Sequence, residues 1–82
     1  MLRLNNAFEA TDMKSLQEYI TVIHPDDNGT FVAYVPAIPG CHAWGESPGK
    51  ATSELLYVFE MIREEYAEEG KSLPSDIKLT IA

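Results

Sequence analysis

The sequence predicts an α+β fold, a mixed four-stranded sheet with one long helix on one face. Three observations predict it. Residues 18–35 hold two β-branched and aromatic blocks separated by Pro-Asp-Asp-Asn-Gly, which is dense turn chemistry. Residues 47–69 hold one stretch of apolar residues at helical spacing. Residues 77–81, Ile-Lys-Leu-Thr-Ile, alternate as a half-buried strand does.

Residues 1–17 form an N-terminal extension, and residues 18–82 form the domain. In the extension, Asn6 followed by Glu9 resembles a capping box, so a short helix is expected over 7–17. The first strand is expected over 18–24, ending at Pro25. Asn28-Gly29 suits a turn with positive φ, and residues 30–35 return as the second strand of a hairpin. Residues 36–40 form a bend with two prolines and a glycine, and 41–44 add a third short strand that Gly45 breaks.

Ser47-Pro48 reads as a helix start, with Ser47 capping and Pro48 at the first helical position. Gly49 and Lys50 make a poor first turn, because the helix dipole favours acids there. Ala51, Leu55, Val58, Phe59, Ile62 and Tyr66 fall on one stripe, with Ser53, Glu60, Glu64 and Glu68 mostly opposite, and Gly70 stops the helix. The element order is (α)βββαβ. A right-handed crossover through the helix sets the last strand parallel to the first, giving a sheet order of 3-2-1-4.

Composition narrows the function. The chain has 82 residues, 45% of them hydrophobic and 23% charged, which is ordinary globular usage. A chain this short buries only about 60% of its unfolded surface. It has one cysteine and so no internal disulfide. It contains neither a bilayer-length apolar run nor the apolar stretch of a signal peptide, and a cytoplasmic protein without membrane partners is expected. Thirteen acidic residues against six basic ones give a net charge of −7, with no basic cluster. Phosphate backbones repel such a surface, so direct DNA or RNA binding is not expected. The acidity either maintains solubility or suits a basic protein partner.

Chemistry is sparse. Two-metal nuclease chemistry needs a carboxylate cluster, but no acid lies between Tyr19 and Ile23, and Asp26 and Asp27 are ordinary turn formers. Cys41 and His42 are strand neighbours and point to opposite faces, so they do not make a nucleophile and base. His24 and His42 match no zinc spacing. No catalytic residue, cofactor or metal is expected. Trp44 is either a core or rim tryptophan or an anchor for partner contact.

Assembly is legible in the strands. In the first, Ile20 and Val22 share one face and Tyr19, Thr21 and Ile23 the other; in the second, Phe31, Ala33 and Val35 oppose Val32 and Tyr34. Both faces are apolar and one helix covers only one of them; the second meets the N-terminal segment, another subunit or water, and because a large exposed apolar patch is unusual on a monomer, a homo-oligomer, dimer or tetramer, is expected. Its expected interface is Tyr19, Thr21, Ile23, Val32 and Tyr34. On the helix, Tyr57 and Met61 point away from the core stripe, either as scattered surface residues or as part of an interface.

Phe31-Val-Ala-Tyr-Val-Pro-Ala-Ile-Pro-Gly-Cys41, then Gly45-Glu-Ser-Pro-Gly-Lys-Ala51, then Gly70-Lys-Ser-Leu-Pro74 resemble the HicB-like antitoxin family over residues 19–81. The resemblance implies a partial ribonuclease-H-like βββαβ unit. It also implies a non-catalytic, oligomeric protein that neutralises a small basic mRNA-cleaving toxin. Many relatives carry a C-terminal DNA-binding domain; this sequence ends at Ala82 without one, so operator binding is not expected of it. Gly49 stands where relatives commonly have Glu. The expected partner-binding residues are Trp44, Glu54, Tyr57, Glu60, Met61, Glu64 and Glu68. Two further readings stay open: an orphan structural or adaptor oligomer of the same fold, and a weak ribonuclease-H-like nuclease.

Overall fold

A computed structural model of the chain describes residues 14–77. Their order is a 3-10 turn, Leu16–Glu18, then β1 (Val22–Pro25), β2 (Phe31–Tyr34), β3 (His42–Gly45) and α1 (Pro48–Glu68). The strands form one antiparallel sheet in the order β1-β2-β3. The expected fold class, α+β with one long helix on a sheet, holds for these residues. The fourth strand of the expected 3-2-1-4 order falls on 77–81. Ile77 has no strand conformation, and 78–81 lie outside the described residues. The helix expected over 7–17, with its Asn6–Glu9 box, also lies almost wholly outside them.

β1 begins later than residue 18, and four hydrogen bonds explain why, two within a turn and two to residues far along the chain. The Ser15 amide donates to the Glu18 carboxylate at 3.3 Å, and the Glu18 amide donates to Ser15 O at 3.0 Å, winding a 3-10 turn. Tyr19 then turns inward, 6% exposed, and donates its hydroxyl proton to Pro74 O at 2.5 Å. The Ile20 amide donates to Asp76 Oδ2 at 3.0 Å instead of to a neighbouring strand.

The hairpin follows its turn chemistry. Gly29 has φ +76°, and the Asp26 amide donates to Thr30 O at 2.8 Å. Pairing runs from Pro25↔Phe31 to Val22↔Tyr34, so 26–30 form a five-residue connection. Proline closes the ladder on the outer strand, where a missing N–H costs least. Gly40, φ +79°, completes the bend into β3, and the Val35 amide donates to Cys41 O at 3.0 Å.

Ser47 caps α1, its Oγ accepting from the Lys50 amide at 3.1 Å, with Pro48 in the first turn. At the other end Gly70, φ +71°, donates to Ala67 O at 3.0 Å and Lys71 donates to Tyr66 O at 2.8 Å. These paired bonds form a Schellman motif.

All six expected stripe residues contribute to the core: Ala51, Leu55 and Phe59 are buried, and Val58, Ile62 and Tyr66 pack against them. The sheet supplies Ala33, Val35, Cys41 and Ala43, joined by Ile38, Tyr19 and Leu73. Gly45 explains how closely the helix start approaches. A Cβ there would lie 2.7 Å from Lys50 C and 2.8 Å from Lys50 Cβ. The small residues of Gly45-x-Ser-Pro-x-x-Ala51 therefore let β3 and the first helical turn touch backbone to backbone.

Candidate functional site

With no described segment lying over either, two surfaces face outward on opposite sides of the molecule. The first is the outer face of α1. Tyr57, Met61, Glu64 and Glu68 follow one another at steps of four, three and four, so they form a single line opposite the buried stripe. Tyr57 is 68% and Met61 60% exposed, and Glu54, Glu64 and Glu68 are exposed beside or below them. The line is apolar in its upper half and acidic in its lower half. Glu60 is different. It is half-buried and ion-pairs with Arg63, whose guanidinium also donates to Lys14 O at 3.0 Å and lies 5.7 Å from the Phe59 ring centre. Arg63 therefore ties the helix to the chain before β1, and Glu60, paired with it inside the helix, turns less of its charge outward. Leu56, 46% exposed, borders a groove between α1 and residues 15–17.

The second surface is the open face of the sheet. Strand register sets Ile23, Ala33 and Ala43 in one row, and His24, Val32 and Trp44 in the next; Val22, Tyr34 and His42 form a third. Side chains alternate along strands, and Ala33 and Ala43 belong to the helix-covered core. The rows holding Trp44 and His42 therefore face away from α1. This surface has its own order. Trp44 Nε1 donates to Asp26 Oδ2 at 2.9 Å, and Asp26 Oδ1 accepts from the Asp27 amide at 2.8 Å. The His42 and Trp44 rings meet edge to face at 5.0 Å, as do His24 and Tyr34 at 6.1 Å. Val32, between His24 and Trp44 in register, is only 9% exposed without any cover from the helix.

The structure thus divides both sets of residues expected from sequence. Trp44 lies on the open sheet face, across the molecule from Glu54, Tyr57, Met61, Glu64 and Glu68. Of the expected oligomer set, Val32 and Tyr34 are on the open face. Ile23 is in the helix-side row, Tyr19 is buried 6.0 Å from Phe59, and Thr21 precedes β1. The reason is the hairpin count. An odd connection of five residues aligns odd positions with odd positions, so Ile23 sides with Ala33 and not with Val32. Val22, His24, His42 and Asp26 were missed as surface residues of that face; the length of the turn was the signal that could have placed them.

Other chemical candidates are engaged in structure. Burial pushes the Cys41 thiol up, holding it as an inert thiol within the core. Burial first, then the nearby Asp76 and Glu18 carboxylates, raise the Tyr19 phenol, which is already used as a donor to Pro74 O. Among the described residues, no group of three or more His, Cys, Asp or Glu side chains is placed to hold a metal ion, and no helix is long and apolar enough to cross a membrane.

Comparison with known proteins places this geometry. No protein-family model matches the chain. A UPF0150 protein of Synechocystis is 39% identical over 57 residues, covering 70% of this chain and 78% of its own length. A UPF0150 protein of Thermoplasma acidophilum is 27% identical over 59 residues, covering 72% of this chain and 86% of its own. Among solved structures, the N-terminal domain of the Burkholderia pseudomallei antitoxin HicB is similar at a TM-score of 0.57 and 29% identity. That match covers 76% of this chain and 68% of the other.

Proposed function

The chain belongs to the UPF0150 family, a HicB-like family, and we propose that it is a non-catalytic, antitoxin-type protein that oligomerises and neutralises a small basic mRNA-cleaving toxin by direct protein binding. The observation that carries this reading is the outer line of α1. Tyr57 and Met61 offer exposed apolar anchors, and Glu54, Glu64 and Glu68 surround them with negative charge. Anchors of this kind supply most of the affinity at an interface, while surrounding charge sets association rate and excludes like-charged partners. The net charge of −7 points the same way. The bonds from Tyr19 to Pro74 and from Ile20 to Asp76 return residues 73–77 to the start of β1. That return supports the 3-2-1-4 order of a partial ribonuclease-H-like unit.

The test is co-expression with the product of the neighbouring gene, followed by size-exclusion chromatography and an mRNA-cleavage assay. A stable complex with suppressed cleavage is expected. Combined Glu54→Lys, Glu64→Lys and Glu68→Lys substitution is expected to slow association strongly, and Tyr57→Ala with Met61→Ala to speed dissociation. A chain that stays separate from any basic partner in its host overturns the proposal and leaves an adaptor oligomer as the reading.

A further inference from the structure

A groove runs along one side of α1, and the function proposed above makes no use of it. One wall is the helix, with Ser53 and Leu56; the other is Ser15, Leu16 and Gln17; Glu60 stands at one end. The space between the walls is about 360 Å³, within the range of sites that bury a ligand. Leu56, midway along the helix wall, is 46% exposed.

The chain itself supplies an occupant. Ser15–Gln17 continue directly from Lys14, whose place beside the helix is fixed. Its carbonyl accepts from the Arg63 guanidinium at 3.0 Å, and its ammonium lies 5.9 Å from the Tyr19 ring centre. Thirteen residues precede Lys14, among them Leu2, Leu4 and Phe8. The reach suffices in any backbone conformation. Phe8 stands six positions before Lys14, which spans about 9 Å as a helix and about 20 Å fully extended. Leu56 stands seven positions before Arg63 on α1, about 10 Å along the axis. Charge agrees with reach. Arg3 is the one charged residue before Glu9, so that half of the segment is positive, while the helix beside the groove carries Glu60 and, one turn on, Glu64. A segment joined to the groove wall also meets it at an effective concentration of about millimolar, without the cost of capturing a separate molecule.

We propose that residues 1–13 fold back from Lys14 and dock Leu4 and Phe8 against Leu16 and Leu56 in this groove. The segment is then an arm that closes the open side of α1 and carries Arg3 toward the acids of the helix. The proposal needs no second protein and is independent of the function proposed above.

Cys41 is buried and is the one cysteine of the chain, so a cysteine introduced at exposed Ser53 is the one accessible thiol. The experiment follows alkylation of Ser53→Cys by an excess of maleimide in the full chain, from low micromolar to hundreds of micromolar protein. Cys41 serves as the internal gauge of folding, because it stays unlabelled while the core is closed. Adding Leu4→Ser and Phe8→Ser is expected to speed labelling at least about fivefold, by the same factor at every protein concentration. Leu56→Ser, which alters the groove and not the arm, is expected to speed it likewise. Labelling of Glu64→Cys, on the outer line of α1, is expected to stay unchanged by the arm substitutions. Three results overturn the proposal. The first is equal labelling of Ser53→Cys with and without the arm substitutions. The second is protection that disappears on dilution, which gives the groove to a second copy. The third is acceleration at Glu64→Cys as large as that at Ser53→Cys.

Discussion

The two faces of the sheet are built from the same strands and meet opposite fates. Toward α1 the strands present Ala33, Ala43 and Gly45, and the helix answers with Ala51 in its first turns. Away from α1 they present Tyr34, Trp44, His24 and His42. Hydrophobicity alone does not separate these sets, since both are largely apolar or aromatic. Size separates them only where β3 meets the helix: Ala43 and Gly45 bring two backbones together, while the larger Ile23, Phe31 and Val35 also lie toward the helix. The other face carries oriented rings that no described segment covers. The contrast teaches that the close approach of a helix backbone, and not apolar character, marks the internal packing face.

The contrast can be broken most directly at the centre of the covered face. Phe59 is fully buried, so Phe59→Ala is expected to cost about 3–5 kcal/mol. In a domain this small that loss abolishes a cooperative thermal transition. Gly45→Ala tests whether small size is the requirement. The added methyl meets backbone and Cβ of Lys50, and a loss of about 1–3 kcal/mol in urea unfolding is expected. Gly49→Ala is its control. A Cβ there meets only Ser47 Oγ, at 4.0 Å, and a gain of about 0.5 kcal/mol is expected.

Tyr19 joins the covered face to the returning chain. Tyr19→Phe removes its hydroxyl bond to Pro74 O, and a loss of about 1 kcal/mol at neutral pH is expected. Its phenol is raised in the folded state, so below its ordinary value near pH 10 it is neutral in both states and its contribution is complete. As pH rises past about 10 the unfolded chain ionises first, and stability falls. Stability measured from pH 8 to 11 should therefore sag in the parent and much less in Tyr19→Phe. The smallest effect is expected on the open face. His42→Ser, measured at concentrations where the chain is monomeric, should change stability by no more than about 0.5 kcal/mol. A loss as large as that of Gly45→Ala would show that both faces support the fold equally.

Much of this was legible in the sequence because it is local. The hairpin turn, the Ser47-Pro48 start, the apolar stripe from Ala51 to Tyr66 and the Gly70 stop each depend on a few neighbouring residues. The start of β1 was not legible in the same way. Tyr19 and Ile20 have strand-forming side chains, but Pro74 and Asp76 claim the phenol and the amide from more than fifty positions away. Face assignment failed for a subtler reason. Alternation within each strand was visible, but relating two strands required the number of residues between the last pair, and that number depends on whether Pro25 joins the ladder. The candidate sites inherited the error, mixing Ile23 with Val32 and Trp44 with Tyr57.

The Tyr19 and Ile20 contacts also bear on the order in which the chain assembles. Joining Tyr19 to Pro74 closes a loop of 55 positions. By chain statistics that closure costs about 2 kcal/mol more than closing the five-residue hairpin turn. Hairpin and helix can form quickly from near neighbours, while this latch waits for both. It is thus expected to form late in folding and to open early in the native state. When it opens, the Ile20 amide just before β1 loses its carboxylate partner, and an unpaired extended backbone is a template for pairing with another chain. Amide exchange at Ile20 faster than at Ala33 would mark that event, and its rate would set how often the protein offers its edge.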